Sequence, residues 1–297
     1  MNYAQLLFPD FSLIVCGFLV CRYTALNRTV WTQVESLVYY FLFPVLLFQS
    51  IVRSPLDLGA ASGLIGAGLA MVASGIALSY GLARLPGVAA TDHAAAAQVA
   101  FRFNSFIALA ITERLAGAQG LQLIAVLIGV CVPLCNIGAV WPMARHSERG
   151  FMGELVRNPL ILATVSGLVA NLAGLHIPVW LEPTVTRIGA ASLALGLMAA
   201  GAGMQIGQIA SARTVAAGVL AIRHLVMPLL AWVMVRAFHL DTLQATVLFA
   251  FSALPTASSC YVLAARMGYN GPFVAGLVTM STLLGMVSLP FALGVLR

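Results

Sequence analysis

Apolar runs of about 20 residues recur from one end of this 297-residue chain to the other, each long enough to cross a bilayer as a helix. Within hydrocarbon no water bonds the backbone, so a spanning segment must satisfy its own N–H and C=O groups. Only 8% of the residues are charged against 61% hydrophobic, and mean hydropathy is +0.99. A soluble domain of this length carries far more charge. The pattern predicts an all-α polytopic membrane protein with ten spans, at 6–25, 34–52, 58–83, 95–113, 120–142, 158–176, 184–208, 213–236, 243–265 and 272–295. No polar stretch is long enough for a separate soluble domain. The longest, 144–157, holds three Arg and two Glu and reads as a cytoplasmic connecting loop.

All 15 basic residues are Arg. Scattered singly near helix ends, they suit topology and anchoring at anionic headgroups rather than nucleic acid. With the N-terminus outside, eight fall in inner segments and five in outer ones, which favours both termini outside. The five Cys lie in apolar runs. Cys131 and Cys135 are one turn apart, but no His or acid joins them, so they read as packing thiols and no metal or cofactor is expected. The opening MNYAQLLFPDF has no basic region and no convincing cleavage site, so the first span reads as a retained signal anchor.

The two halves repeat. PDFSLIVCGFLV from Pro9 aligns with PLILATVSGLVA from Pro159, with Pro9 over Pro159 and Gly17 over Gly167 at an offset of 150. NSFIALAITERLAGAQG from Asn104 lies over PTASSCYVLAARMGYNG from Pro255, with Gly117 over Gly268 and Gly120 over Gly271 at an offset of 151. Each half, 1–143 and 158–297, then has five spans. An odd number inserts the second half upside down relative to the first, the inverted repeat of many secondary transporters.

Spans four and nine correspond in this repeat, and both look interrupted. Pro255 lacks an N–H and clashes with the preceding turn. Its counterpart is Asn104, flanked by Arg102 and Ser105, a polar group that cannot face lipid. Open backbone at membrane depth survives only where it is buried in protein or lines a wet cavity. Two such sites at mid-span imply one central cavity, where half-helix N-termini suit an anion. Thr256, Ser258 and Ser259 add hydroxyl donors. The other reading is a proline kink with serines packing helix on helix.

An arginine at bilayer depth costs roughly 3 kcal/mol or more. Arg102 either pairs with a substrate carboxylate or snorkels to the inner interface. Glu113 and His224 are the candidate coupling groups. For Glu113 the other reading is an interfacial pair with Arg114; for Arg223 and His224 it is a structural pairing or a headgroup contact. Gln49, Asn136 and Asn171 read as interhelical hydrogen-bonding residues, and Gly201, Gly203 and Gly207 as a close-packing face.

NPLILATVSGLVANLAGLHIP (158–178) resembles the sixth-span signature of the auxin efflux carrier family, within the bile acid and auxin carrier-like superfamily. LGLMAAGAGM (195–204) is similar to its seventh span and ALPTASSCYVLAARMG (253–268) to its ninth. With FRFNSFIALA and FLFPVLLF, the resemblance covers essentially the whole chain. It implies two inverted five-helix repeats and unwound helices four and nine crossing around the substrate. It also implies a transport domain that rocks or slides against a scaffold, and a homodimer. By position, Asn104 matches the family's polar crossover residue and Pro255 its ninth-span crossover proline. The chain departs from the pattern in having IALAI after Asn104, where many members have Gly and Pro. It also has Ala194 where span seven commonly has proline.

Together these readings predict a carrier for a small organic anion, a mono- or dicarboxylate, in a bacterial inner membrane with both termini periplasmic. Sparse acids at depth argue against a carboxylate-built sodium site, leaving facilitated diffusion or proton coupling. The rivals are an intramembrane enzyme, for which His224 with Ser258 or Ser259 is the only candidate constellation, and a non-transporting sensor, for which no soluble output domain is present.

Overall fold

The computed structural model describes residues 3–53, 58–144, 159–204, 212–257 and 259–296, and among them every regular element is helical. The 144–157 loop, apart from its first residue, lies outside the described residues, as does Ser258. Among the described residues five helices are long and apolar enough to cross a membrane: Arg28–Arg53, Ser62–Arg84, Gln119–Met143, Arg213–Ala237 and Gly271–Gly294.

In chain order, α1 is Tyr3–Tyr23 and α2 is Arg28–Arg53, with a π turn at Val38–Leu42. Next come α3 (Leu58–Gly81), α4 (Ala90–Ala96) and α5 (Ser105–Ala144). The second half contains α6 (Pro159–Leu172), α7 (Glu182–Ala202) and α8 (Arg213–Ala237), whose π turn covers Ile222–Val226. It closes with α9 (Thr242–Ser252), α10 (Ser259–Arg266) and α11 (Gly271–Phe291). Side-chain caps set several starts. Asn27 accepts from the Thr29 N–H at 3.0 Å, Asp241 from those of Leu243 and Gln244 at 2.8 Å, and Asn270 from that of Phe273 at 3.0 Å. The Asn27 cap explains why α2 starts six residues before the expected 34–52 span. Its polar first turns are helical without being apolar.

Two expected spans are not single helices. In the 95–113 range, α4 tightens into a 3-10 turn at Ala97–Ala100, residues 101–104 are non-helical, and α5 begins at Ser105. In the 243–265 range, α9 ends at Ser252 and α10 starts at Ser259. The expected gap between 113 and 120 is instead a bend within α5. Gly117 sits there at φ 58°, ψ −151°, which a residue without Cβ adopts at little cost. Its counterpart Gly268, at φ 80°, ends α10, where the Tyr269 N–H reaches back to the Ala264 carbonyl at 2.9 Å.

Small residues let helices close on one another. A Cβ on Gly17 of α1 would lie 1.9 Å from the Met198 carbonyl oxygen of α7, and one on Gly201 would lie 1.8 Å from that of Ile14. On the other pair, Gly167 of α6 faces Phe48 and Ile51 of α2. Gly17 and Gly167 are 150 residues apart, as are their neighbours Met198 and Phe48. Asn171 donates to the carbonyls of Ile51 (2.7 Å) and Val52 (3.2 Å), and Gln49 bonds Thr186 at 3.1 Å. Both tie helices together as expected for polar residues in apolar runs. The centre is filled by α11, whose residues 273–279 are all buried, and by Phe103 against Phe251, ring centroids 4.4 Å apart.

Backbone-to-backbone packing leaves no room to relax. Gly17→Ala and Gly201→Ala should each lower the thermal unfolding midpoint of the detergent-purified protein by several degrees, consistent with the roughly 1–3 kcal/mol cost of overpacking. Gly81→Ala, where an added Cβ meets nothing within 4 Å, should be neutral. Equal midpoints for all three would refute the close-packed reading.

Candidate functional site

The non-helical segments 101–104 and 253–257 meet. The Asn104 N–H donates to the Pro255 carbonyl at 2.8 Å, a backbone bond between two positions that the repeat aligns. The Asn104 side-chain oxygen accepts from the Ile107 N–H at 3.2 Å and so caps the start of α5. Thr256 donates its hydroxyl to the Val99 carbonyl (2.7 Å), and Gln98 donates to the Cys260 carbonyl (3.0 Å). One backbone bond and two side-chain bonds thus join the chain around one segment to the chain around the other.

Beside this junction is a cleft enclosing about 750 Å³ of empty space including its mouth, walled by α2, α5, α7 and the segments around both breaks. Arg102, Asn104, Ser105 and Ser259 line it, as does Asn136 from α5. Arg102 is 6% exposed and does not reach an interface. Its guanidinium donates to Gln98 Oε1 (2.9 Å), Asn136 Oδ1 (3.2 Å) and Ser259 Oγ (3.1 Å). All three partners are neutral. Asn136 is 2% exposed, and with its oxygen on Arg102 its Nδ2 has no hydrogen-bond partner. An amide donor buried without a partner costs about 1–3 kcal/mol, a debt that a bound acceptor would cancel.

Among the described residues the only carboxylate lining the cleft is Glu35, and Arg28 holds it with two parallel bonds of 2.7 and 2.9 Å. Arg28 also donates to the Tyr261 hydroxyl at 2.7 Å, joining α2 to α10. With Glu35 matched by Arg28, the charge left among the described residues of the cleft is the positive one on Arg102.

Pro255 and Thr256 stand behind the cleft rather than in it. Gly285 of α11 makes room for the proline ring, which an added Cβ would meet at 2.5 Å. The Thr256 N–H donates to Ser281 Oγ (2.9 Å), Ser281 donates to Thr256 Oγ1 (3.0 Å), and His224 Nε2 meets Ser281 at 2.8 Å. Ser281 has one proton and gives it to Thr256, so Nε2 of His224 donates to Ser281, and Nδ1 is hydrogen-bonded to Ser288 at 2.8 Å. His224 thus braces the break from α8 and does not line the cleft. With Ser259 bonded to Arg102, neither residue pairs with the other as the enzyme reading required. Glu113 is exposed on α5, also away from the cleft-lining residues. Sequence reasoning missed Gln98, Glu35 and Tyr261. Arg28 and Glu35, two helical turns apart on one face, were the available signal.

No curated protein matches the chain. A family model described as membrane transport protein matches residues 139–293, more than half of its length, from the second arm of α5 through α11. That region includes the Pro255 break, α10 and the helices that brace them. The family's members are transporters rather than enzymes. Its apolar helices and this match together make the chain a multi-pass membrane protein of the membrane transport protein family, the auxin efflux and bile acid carrier family.

Proposed function

We propose that the chain is a secondary carrier that moves a small organic anion, a mono- or dicarboxylate, across a bacterial inner membrane by alternating access. One observation carries the substrate class. A buried guanidinium with only neutral partners shares a cleft with an unpartnered amide donor, beside the capped start of a half-helix. A carboxylate offers what both lack, a counter-charge for Arg102 and an acceptor for Asn136. Asn104, Ser105 and Ser259 complete the set of groups around it, and the positive end of the α5 dipole adds to the attraction.

The architecture behind this reading is ten spans in two inverted five-helix repeats, 1–143 and 158–297, joined by the 144–157 loop. Support comes from features that recur at the repeat offset: the Gly17–Met198 and Gly167–Phe48 contacts, the positive φ of Gly117 and Gly268, and the Asn104–Pro255 backbone bond. The arginine distribution supports periplasmic termini. Coupling is either absent or carried by protons.

Counterflow of radiolabelled carboxylates in proteoliposomes tests the function directly. Exchange with at least one member of a broad panel is expected; no exchange, together with no anion that raises the unfolding midpoint, ends the carrier reading. Two substitutions test the site. Asn136→Asp gives Arg102 an internal carboxylate and removes the orphaned donor, so the empty protein should melt a few degrees higher while anion-induced stabilisation and exchange disappear. Asn104→Asp keeps the α5 cap but adds negative charge at the cleft, and should abolish exchange in a protein whose helicity is unchanged. Asn104→Ala should in addition cost about 1 kcal/mol of stability for the lost cap. Undiminished uptake by Asn104→Asp excludes this residue from the site.

A further inference from the structure

A second buried cation stands outside the cleft. Arg223, on the π turn of α8, is 1% exposed, and the two ion pairs among the described residues, Arg28–Glu35 and Arg53–Glu182, do not involve it. Its partners are backbone carbonyls. Nε donates to Leu254 O at 2.6 Å and one terminal nitrogen donates to Phe251 O at 3.2 Å. The reason lies in the sequence. In a continuous helix the Phe251 carbonyl would accept from the N–H four residues on, but that residue is Pro255, which has none. The C-terminal end of α9 therefore presents open carbonyls and the negative end of its dipole at a fully buried position. The adjacent His224 turns both ring nitrogens to the serines of α11, so the guanidinium is the only cation bonded to this carbonyl end among the described residues.

Carbonyl ends of half-helices are where carriers built on broken helices coordinate a coupling sodium ion. We propose that Arg223 is a resident cation at that position, tethered by the chain at an effective concentration that no free ion matches, so that anion movement needs no sodium or other inorganic cation. Arg223 is a positioning residue. It fixes the backbone that carries Pro255 and Thr256 to the Asn104 junction and does not touch the anion. This inference rests on the carrier reading above.

The test uses the full-length protein in phosphatidylethanolamine–phosphatidylglycerol vesicles and in detergent. Wild-type exchange should be equal in sodium, potassium and choline salts. Arg223→Ala should lose roughly tenfold to a hundredfold of that exchange in choline, the loss expected for a buried charge-assisted pair of bonds. It should regain exchange with millimolar methylguanidinium or sodium, but not with neutral methylurea. Its unfolding midpoint should rise with the same cations and not with methylurea, whereas the wild-type midpoint should ignore all three. Arg223→Lys, which keeps the charge without the fork, should retain part of the exchange in every salt. Sodium-dependent wild-type exchange would overturn the proposal. So would an Arg223→Ala protein, in vesicles or in the melting assay, that no cation restores, or an Arg223→Lys protein as inactive as Arg223→Met with both folded. If the wild type exchanges no anion in any salt, the carrier reading fails, while the cation dependence of Arg223→Ala melting still decides the assignment of Arg223.

Discussion

Backbone polar groups at membrane depth must find partners within the protein, and the centre of this molecule is organised by that requirement. Two segments leave the helix, 101–104 and 253–257. Each supplies partners to the other. The Asn104 N–H takes the Pro255 carbonyl, the Val99 carbonyl takes the Thr256 hydroxyl, and the Cys260 carbonyl takes the Gln98 amide. What remains is covered from behind, by Ser281 on the Thr256 N–H and by Arg223 on the carbonyls of Phe251 and Leu254. The two breaks touch through the Asn104–Pro255 bond, and α8 and α11 complete the accounting around them.

The same accounting explains the sign of the site. The arginines at depth are held by neutral oxygens, Arg102 by side chains at the cleft and Arg223 by carbonyls behind it. Glu35, the acid in the cleft wall, is already matched by Arg28. At low effective dielectric an unmatched charge is felt strongly across a few ångströms. On the proposed reading the guest is negative: its carboxylate would meet the charge of Arg102 and accept from the Asn136 Nδ2 that stands unpartnered beside it.

Much of this was legible in the chain itself. Apolar runs announced membrane helices because the bilayer imposes a length on them, and Pro255 announced a missing N–H because that is a covalent fact. Arg102 and Asn104 stood out because polar groups at depth are expensive. The arrangement around them was harder to read. The Arg28–Tyr261 bond joins residues 233 apart in sequence, and nothing local to either predicts it. Asn136 looked like any polar residue packing helices together; its role depends on which end faces Arg102. Glu113 attracted attention as an acid near a span end, yet it is exposed on α5, one turn before a bend at Gly117 that a glycine permits but does not require. Arg223 and His224 were ambiguous because a structural pairing or a headgroup contact suited the sequence as well as a role toward substrate, and adjacent residues on a regular helix point about 100° apart.

Both are buried, and the π turn accounts for it. Each of the two π turns beside the junction, Val38–Leu42 and Ile222–Val226, is followed two residues later by a proline, Pro44 or Pro228. A proline removes the N–H that the carbonyl four residues earlier would use. The chain responds by shifting to i to i+5 bonds, Phe43 to Val38 and Met227 to Ile222. The wider turn changes the angular spacing of its side chains. In α8 it sends Arg223 to the broken end of α9 and His224 to the serines of α11. In α2 it brings Val38 and Tyr39 to the cleft wall along with Glu35 and Phe43. Pro255 opens a helix outright; Pro44 and Pro228 loosen theirs by one residue. The two degrees of the same defect divide the work, one exposing backbone at the junction and the other aiming the side chains that answer it.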